Sequence, residues 1–351
     1  MPHILIFNPF FFIGHNIGLW SSIAVALAFA VLKCGSLQVK VKVFLPWLFM
    51  TLWISTLTLL ADALPLISRL NFIWLSCFVP LLLVFVVKPC TRQRNIAFFI
   101  TCALGLNIFA YLFKGNVEAD FSGIYATGSI LGGQASVISA MFFIRYVDQR
   151  CPADLLIFLA FLFLLLLSEH RGGMAALLAV ILLRLSAEVR RPIFTIIGFG
   201  SIIGIIYYLL PSILDVLFKS GEISIDTLNT SGRMLMWQTL FDNWPDGLHR
   251  IFLGAGGGSA RSVLINELNG FETGLVQPHN EYIRLSFDYG LIGLLLWLGF
   301  YYNVFKRHSD FGILIFVHFL VEALVSNILF WSLFYLTPVL FIKRRGSGNT
   351  R

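Results

Sequence analysis

The fold class this sequence predicts is an all-α, polytopic membrane protein, and three observations predict it. Of its 351 residues, 58% are hydrophobic and only 12% are charged, against about 45–50% and about 25% in soluble globular chains. The mean hydropathy is +0.85. The apolar residues fall in continuous runs near the ~20 residues a spanning helix needs, not in the ~10-residue alternating segments of a membrane β-barrel. A soluble enzyme, a disordered chain and a collagen-like chain are excluded on the same grounds.

About eleven transmembrane helices are expected, near residues 17–32, 43–60, 72–87, 96–113, 130–147, 153–168, 174–189, 193–210, 285–305, 311–326 and 328–342. Several of these runs hold only 15–18 residues, so their ends should extend into the flanks. Residues 4–13 are apolar but too short to span and are interrupted by Asn8-Pro9. Eleven spans with a cytoplasmic tail put the N-terminus outside, so either this stretch is a re-entrant piece or a first helix is missing.

Charge sets the orientation, because cytoplasmic loops carry the excess of Lys and Arg. Of the 25 basic residues, 17 fall on alternate connections, including Lys40, Arg92, Arg145, Arg184, Arg190, Lys306 and the tail Lys343-Arg344-Arg345. The other 8, among them Arg171, Arg233 and Arg284, lie on the opposite side. The rich side is cytoplasmic. The net charge of +7 is therefore dispersed anchoring charge, and no nucleic-acid partner is expected. The five cysteines form no CxxC or Cys/His cluster and none lies in an external loop, so no disulfide or zinc framework is readable.

This topology divides the chain into a bundle over 1–210, a periplasmic loop over 211–284, and C-terminal spans with a basic tail over 285–351. Long loops in compact proteins are usually functional, so the chemistry is expected at this loop and at the external helix ends facing it. Within it, Thr230-Ser231-Gly232-Arg233 precedes Met234, Trp237, Leu240 and Phe241, one apolar face of a short helix with a Ser/Thr start. That helix should end near Asn243-Trp244-Pro245. Residues 251–259 then read as a flexible turn containing Gly254–Gly258, with no GK[ST] to make it a nucleotide loop. Gln277-Pro278-His279-Asn280-Glu281 leads into the next span, with Asn280 as N-cap and Glu281 favourable in the first turn. Glu322 lies one helical turn after His318 inside a span and reads as its partner.

These motifs resemble the O-antigen ligase/polymerase family. The resemblance rests on Arg171-Gly172, on Arg233 with Trp237 and then Leu253-Gly254-Ala255-Gly256, and on Pro278-His279-Asn280-Glu281-Tyr282-Ile283-Arg284 closing with Tyr289-Gly290-Leu291-Ile292-Gly293. It covers roughly residues 168–300. Where the family often has Ser before the first arginine, this chain has His170. The resemblance implies a GT-C-like membrane glycosyltransferase of the bacterial inner membrane, inverting and metal-independent, without cofactor, its site facing the periplasm. The implied donor is a glycan on undecaprenyl diphosphate. The implied acceptor is lipid A–core sugar in a ligase or a lipid-linked repeat unit in a polymerase, with membrane lipids around both.

On that reading Arg171 and Arg233 clamp the diphosphate, since guanidinium forks match phosphate oxygens. The alternatives are an interfacial anchor for Arg171 and a loop salt bridge to Asp226 or Asp242 for Arg233. His279 is either the general base or a charged phosphate ligand, and Glu281 is the second candidate base. Trp237, Asn280, Glu281 and Arg284 are further candidates for substrate contact, with packing as the alternative for Trp237. A transporter or flippase is the competing class. It expects paired broken helices in matching halves, and no such repeat is readable.

Overall fold

The computed structural model describes residues 41–61, 69–70, 73, 76–77, 80, 128–168, 170–189, 233–269, 277–306 and 310–324. All secondary structure among them is helical. In chain order the helices are α1 (Val41–Leu60), α2 (Gly128–Gln149), α3 (Pro152–Leu167), α4 (Arg171–Val189), α5 (Arg233–Asp242), α6 (Leu248–Leu253), α7 (Ser259–Glu267), α8 (Glu281–Lys306) and α9 (Asp310–Ala323). The expected spans at 17–32, 96–113, 193–210 and 328–342 lie outside the described residues, as does most of 72–87.

Among the described residues α8 is long and apolar enough to cross a membrane, while Phe44–Leu60, Pro152–Leu167 and Phe311–Ala323 are apolar but shorter. Several helices extend past the apolar runs: α8 begins at Glu281, four residues before the hydrophobic stretch, and α4 begins at Arg171. Polar residues join a helix end because its first turn leaves backbone N–H groups to satisfy, and hydropathy alone does not register them.

Helix α2 is central. Every residue from Leu131 to Phe142 is buried, and the stretch alternates small with large side chains: Gly132, Gly133, Ala135, Ser136, Ser139 and Ala140 beside Ile138, Met141 and Phe142. Small residues let neighbouring helices approach closely where lipid removes the hydrophobic drive to associate. Helices α3, α4 and α9 pack around it. At one end Arg145 pairs with Asp154 in the first turn of α3 at 3.3 Å and Arg184 pairs with Asp148 at 2.5 Å. Both arginines belong to the side the charge pattern assigns to the cytoplasm.

Helices α8 and α9 meet through an aromatic cluster. Tyr301 and Phe319 lie 4.3 Å apart between ring centroids, and Trp297 is 4.9 Å from Phe319. Such pairs add about 0.5–1.5 kcal/mol each beyond area burial.

The stretch expected to be a loose turn is mostly ordered. Residues 251–253 complete α6, and Ser259 opens α7, so only 254–258 form the turn. This turn fills a break in α8. Gly290 has φ 67° and ψ −174° in the middle of the helix, which frees the carbonyls of the preceding turn. The Ala255 N–H donates to Phe287 O and the Gly256 N–H to Asp288 O, both at 2.8 Å. The backbones come so close that a Cβ on Gly254 would lie 2.5 Å from the Asp288 carbonyl oxygen, and one on Gly290 2.2 Å from that of Phe252. The break was not legible from hydropathy, which registers side-chain polarity and not backbone conformation.

Candidate functional site

Three chain segments from distant parts of the sequence build the candidate site: the start of α4, the start of α5 and the residues before α8. Arg171 is the first residue of α4 and Arg233 the first of α5. Arg171 and His279 are exposed and Arg233 is half-buried.

Arg233 lies within electrostatic reach of Arg171, and His279 within that of Arg233. The Arg233 guanidinium has its pKa lowered, first by burial and then by the positive charge of Arg171. It stays charged at neutral pH, as arginine does in proteins. His279 is lowered from 6.5 to about 4, first by crowding of its ring out of water and then by the charge of Arg233. The lowered value leaves the imidazole neutral at pH 7. Among the described residues no carboxylate pairs with Arg171 or Arg233. Among the described residues the buried Nε–H of Arg233 has no hydrogen-bond acceptor. Two guanidiniums that repel each other and carry undirected donors suit a ligand with a multiply charged anion, which would convert repulsion into paired charge-assisted bonds.

The neighbourhood is assembled by packing. Met236, Leu240, Ala260, Leu264 and Phe287 form a small buried cluster joining α5, α7 and α8, with Trp237 and Trp244 packed against it. The Trp237 indole N–H donates to Pro278 O at 2.6 Å. That contact fits the packing alternative for Trp237 and tethers the residue before His279 to the helix that starts at Arg233. On the other side of His279, Asn280 Oδ1 accepts the Ile283 N–H at 3.1 Å, which is the N-cap expected from the sequence.

Between these two fixed points His279 adopts φ 49°. The left-handed region costs a residue with a side chain about 1–2 kcal/mol, and such conformations concentrate where the surroundings over-determine them. The flanking contacts supply that constraint.

Glu281 and Arg284 are engaged with each other. Arg284 Nε donates to Glu281 Oε2 at 3.2 Å, and its Nη2 pairs with Glu281 Oε1. The Arg284 guanidinium also lies 3.6 Å from Asp288 Oδ2. All three side chains are buried. In this arrangement they brace the first turns of α8. Asp288 in turn accepts the Ala260 N–H at 2.8 Å, placing a carboxylate at the N-terminus of α7 where the helix dipole favours it. The role of Asp288 was readable from spacing, since Glu281, Arg284 and Asp288 stand at i, i+3 and i+7 on one helix face.

The sequence expectation for Glu322 is extended. His318 lies 3.9 Å from it, but the short contact is 2.6 Å from Glu322 Oε1 to His170 Nε2. No sequence signal links residues 152 positions apart. Among the described residues no group of three or more His, Cys, Asp or Glu is arranged to hold a metal ion.

Residues 156–298 match the family model described as O-Antigen ligase, a stretch that holds Arg171, Arg233, Trp237, His279, Asn280, Glu281 and Arg284. No curated protein matches the chain significantly. Across residues 156–298 the chain is therefore similar to the O-antigen ligase family.

Proposed function

We propose that the protein is a membrane glycosyltransferase that moves a glycan from undecaprenyl diphosphate to a sugar hydroxyl at the periplasmic face of the bacterial inner membrane, in O-antigen or surface-polysaccharide assembly. The observation that carries this reading is the like-charge proximity of Arg171 to Arg233 beside a neutral His279, inside the stretch that matches the family model. The eleven spans and the periplasmic placement of residues 211–284 belong to the same reading and rest on the alternation of basic residues.

The chemistry follows from the groups. The acceptor hydroxyl oxygen attacks the anomeric carbon of the donor glycan, and the bond from that carbon to the diphosphate oxygen breaks. The hydroxyl proton passes to the imidazole of His279. A charged histidine would serve as a phosphate ligand, but the lowered pKa supports the base. The bonding electrons leave with undecaprenyl diphosphate, whose growing negative charge Arg171 and Arg233 stabilise. Such preorganised donors contribute about 3–4 kcal/mol each. Attack opposite the leaving group inverts the anomeric centre. No metal ion or cofactor is assigned a step.

The test is transfer of labelled glycan from undecaprenyl diphosphate in membrane vesicles. Arg171→Lys and Arg233→Lys keep the charge but lose the planar fork, and each is expected to lower kcat/KM at least tenfold at unchanged protein level. Near-native transfer in both variants would overturn the clamp. Two acceptors fit the site, and the deletion phenotype separates them: lipid A without any glycan identifies a ligase, and lipid A carrying a single repeat identifies a polymerase.

A further inference from the structure

Four polar residues, Ser136 on α2, His318 and Glu322 on α9 and His170 at the junction before α4, are buried together. Glu322 near the end of α9 is 1% exposed, and its Oε1 lies 2.6 Å from His170 Nε2. Ser136 of α2 donates to Glu322 Oε2 at 3.3 Å. The same hydroxyl lies 2.9 Å from His318 Nε2. A proton on Nε2 of both histidines serves every contact: His318 donates to Ser136, Ser136 donates to one carboxylate oxygen, and His170 donates to the other.

We propose that this cluster positions Arg171, with Glu322 as its anchor. The proposal rests on the reading of Arg171 as a diphosphate clamp and adds what holds it in place. His170 is the residue on which α4 starts: its carbonyl accepts the Met174 N–H at 3.1 Å, and Arg171 follows it. Fixing the His170 ring therefore fixes the first turn of α4.

The ring is fitted closely. A Cβ on Gly132 would lie 2.1 Å from His170 Cβ, and one on Gly173 would lie 2.8 Å from its Cδ2. Glycine at both positions makes the space that lets His170 reach Glu322.

The need for an anchor comes from the site itself. Arg171 and Arg233 repel each other, and a long exposed side chain on a frayed first turn would relieve that repulsion by swinging away. Anchoring the turn from beneath keeps the guanidinium near its partner before the donor arrives, so less ordering remains to be done on binding. A buried carboxylate among apolar helices is expensive, and a positioning role gives it a use beyond locking α2, α4 and α9 together.

The experiment reads Arg171 directly. Purified full-length protein in nanodiscs is treated with phenylglyoxal, and adducts are mapped by mass spectrometry with and without farnesyl diphosphate as probe. In the native protein the probe should slow Arg171 modification at least fivefold and leave the exposed Arg250 unchanged. In Glu322→Ala the protection of Arg171 should fall below twofold. Glu322→Gln keeps the shape and one acceptor, and should give an intermediate value; it serves where the alanine variant does not accumulate.

Absence of protection in the native protein would count against the clamp reading. Native-like protection in both Glu322 variants would overturn the positioning role alone. Transfer kinetics give the second readout. Glu322→Ala should raise the donor KM about tenfold in the native background and less than twofold in an Arg171→Lys background. Equal factors in the two backgrounds would mean that Glu322 serves only general stability.

Discussion

The indole N–H of Trp237 is bonded to the carbonyl of Pro278, 41 positions later in the chain, at 2.6 Å. This bond ties the helix that begins with Arg233 to the residue preceding His279. The residues expected to hold the diphosphate and to accept the proton are thus parts of one folded unit.

Trp237→Phe keeps the aromatic packing and removes only the N–H donor. The stability cost should be small, about 0.5–1.5 kcal/mol. Misplacing a reacting group by about 1 Å costs up to ~100-fold in rate, so kcat should fall about tenfold or more. The acceptor KM should hold. A rise confined to that KM would mean instead that the ring stacks on sugar.

The acid limb of the pH profile should report His279. Its pKa is lowered from 6.5 to about 4, so the imidazole stays neutral, and competent as a base, as pH falls from 7 towards 5. Protonation removes that competence, and kcat/KM is expected to drop as pH passes through about 4. Bound diphosphate favours the imidazolium, so the limb in kcat should lie at higher pH than the limb in kcat/KM. His279→Asn suits the left-handed backbone and should lower transfer about 10²–10⁴-fold with native folding. A kcat/KM limb centred on 6.5 would show that the ring is not desolvated.

Gly290 has a backbone conformation open essentially to glycine alone, with φ 67° and ψ −174°. Its alanine variant would also place a Cβ 2.2 Å from the Phe252 carbonyl oxygen. Gly290→Ala should therefore destabilise the protein by at least about 2–3 kcal/mol and release the turn at 254–258 from α8. Thermal unfolding followed by size-exclusion fluorescence checks this, and a melting temperature within one degree of native would refute the kinked packing.

The orientation is tested at two exposed positions, Ala187 at the end of α4 and Asn266 in α7. With a cysteine introduced at each, a membrane-impermeant maleimide should label position 266 in intact spheroplasts and position 187 only after permeabilisation. Labelling of both from one side would remove the topology on which a periplasmic site depends.

Hydropathy, read from the sequence alone, determined the helical class and the approximate position of six described helices. Those properties are local: a long apolar run has no satisfied form in a bilayer except a helix or a closed barrel. The N-cap at Asn280 and the helix starting near Arg233 were legible for the same reason, since capping is decided within four residues. Tertiary structure alone decided that Arg233 lies within reach of the charge of Arg171 and His279 within reach of that of Arg233, that Glu281 and Arg284 are spent on each other, that α8 is broken at Gly290 with the 254–258 turn in the gap, and that Glu322 takes His170 as its close partner. Each of these depends on which helices become neighbours. Apolar surfaces are nearly interchangeable in that choice, and it is settled by the small residues of α2, the glycines that admit close approach and a few buried polar bonds spanning up to 231 positions.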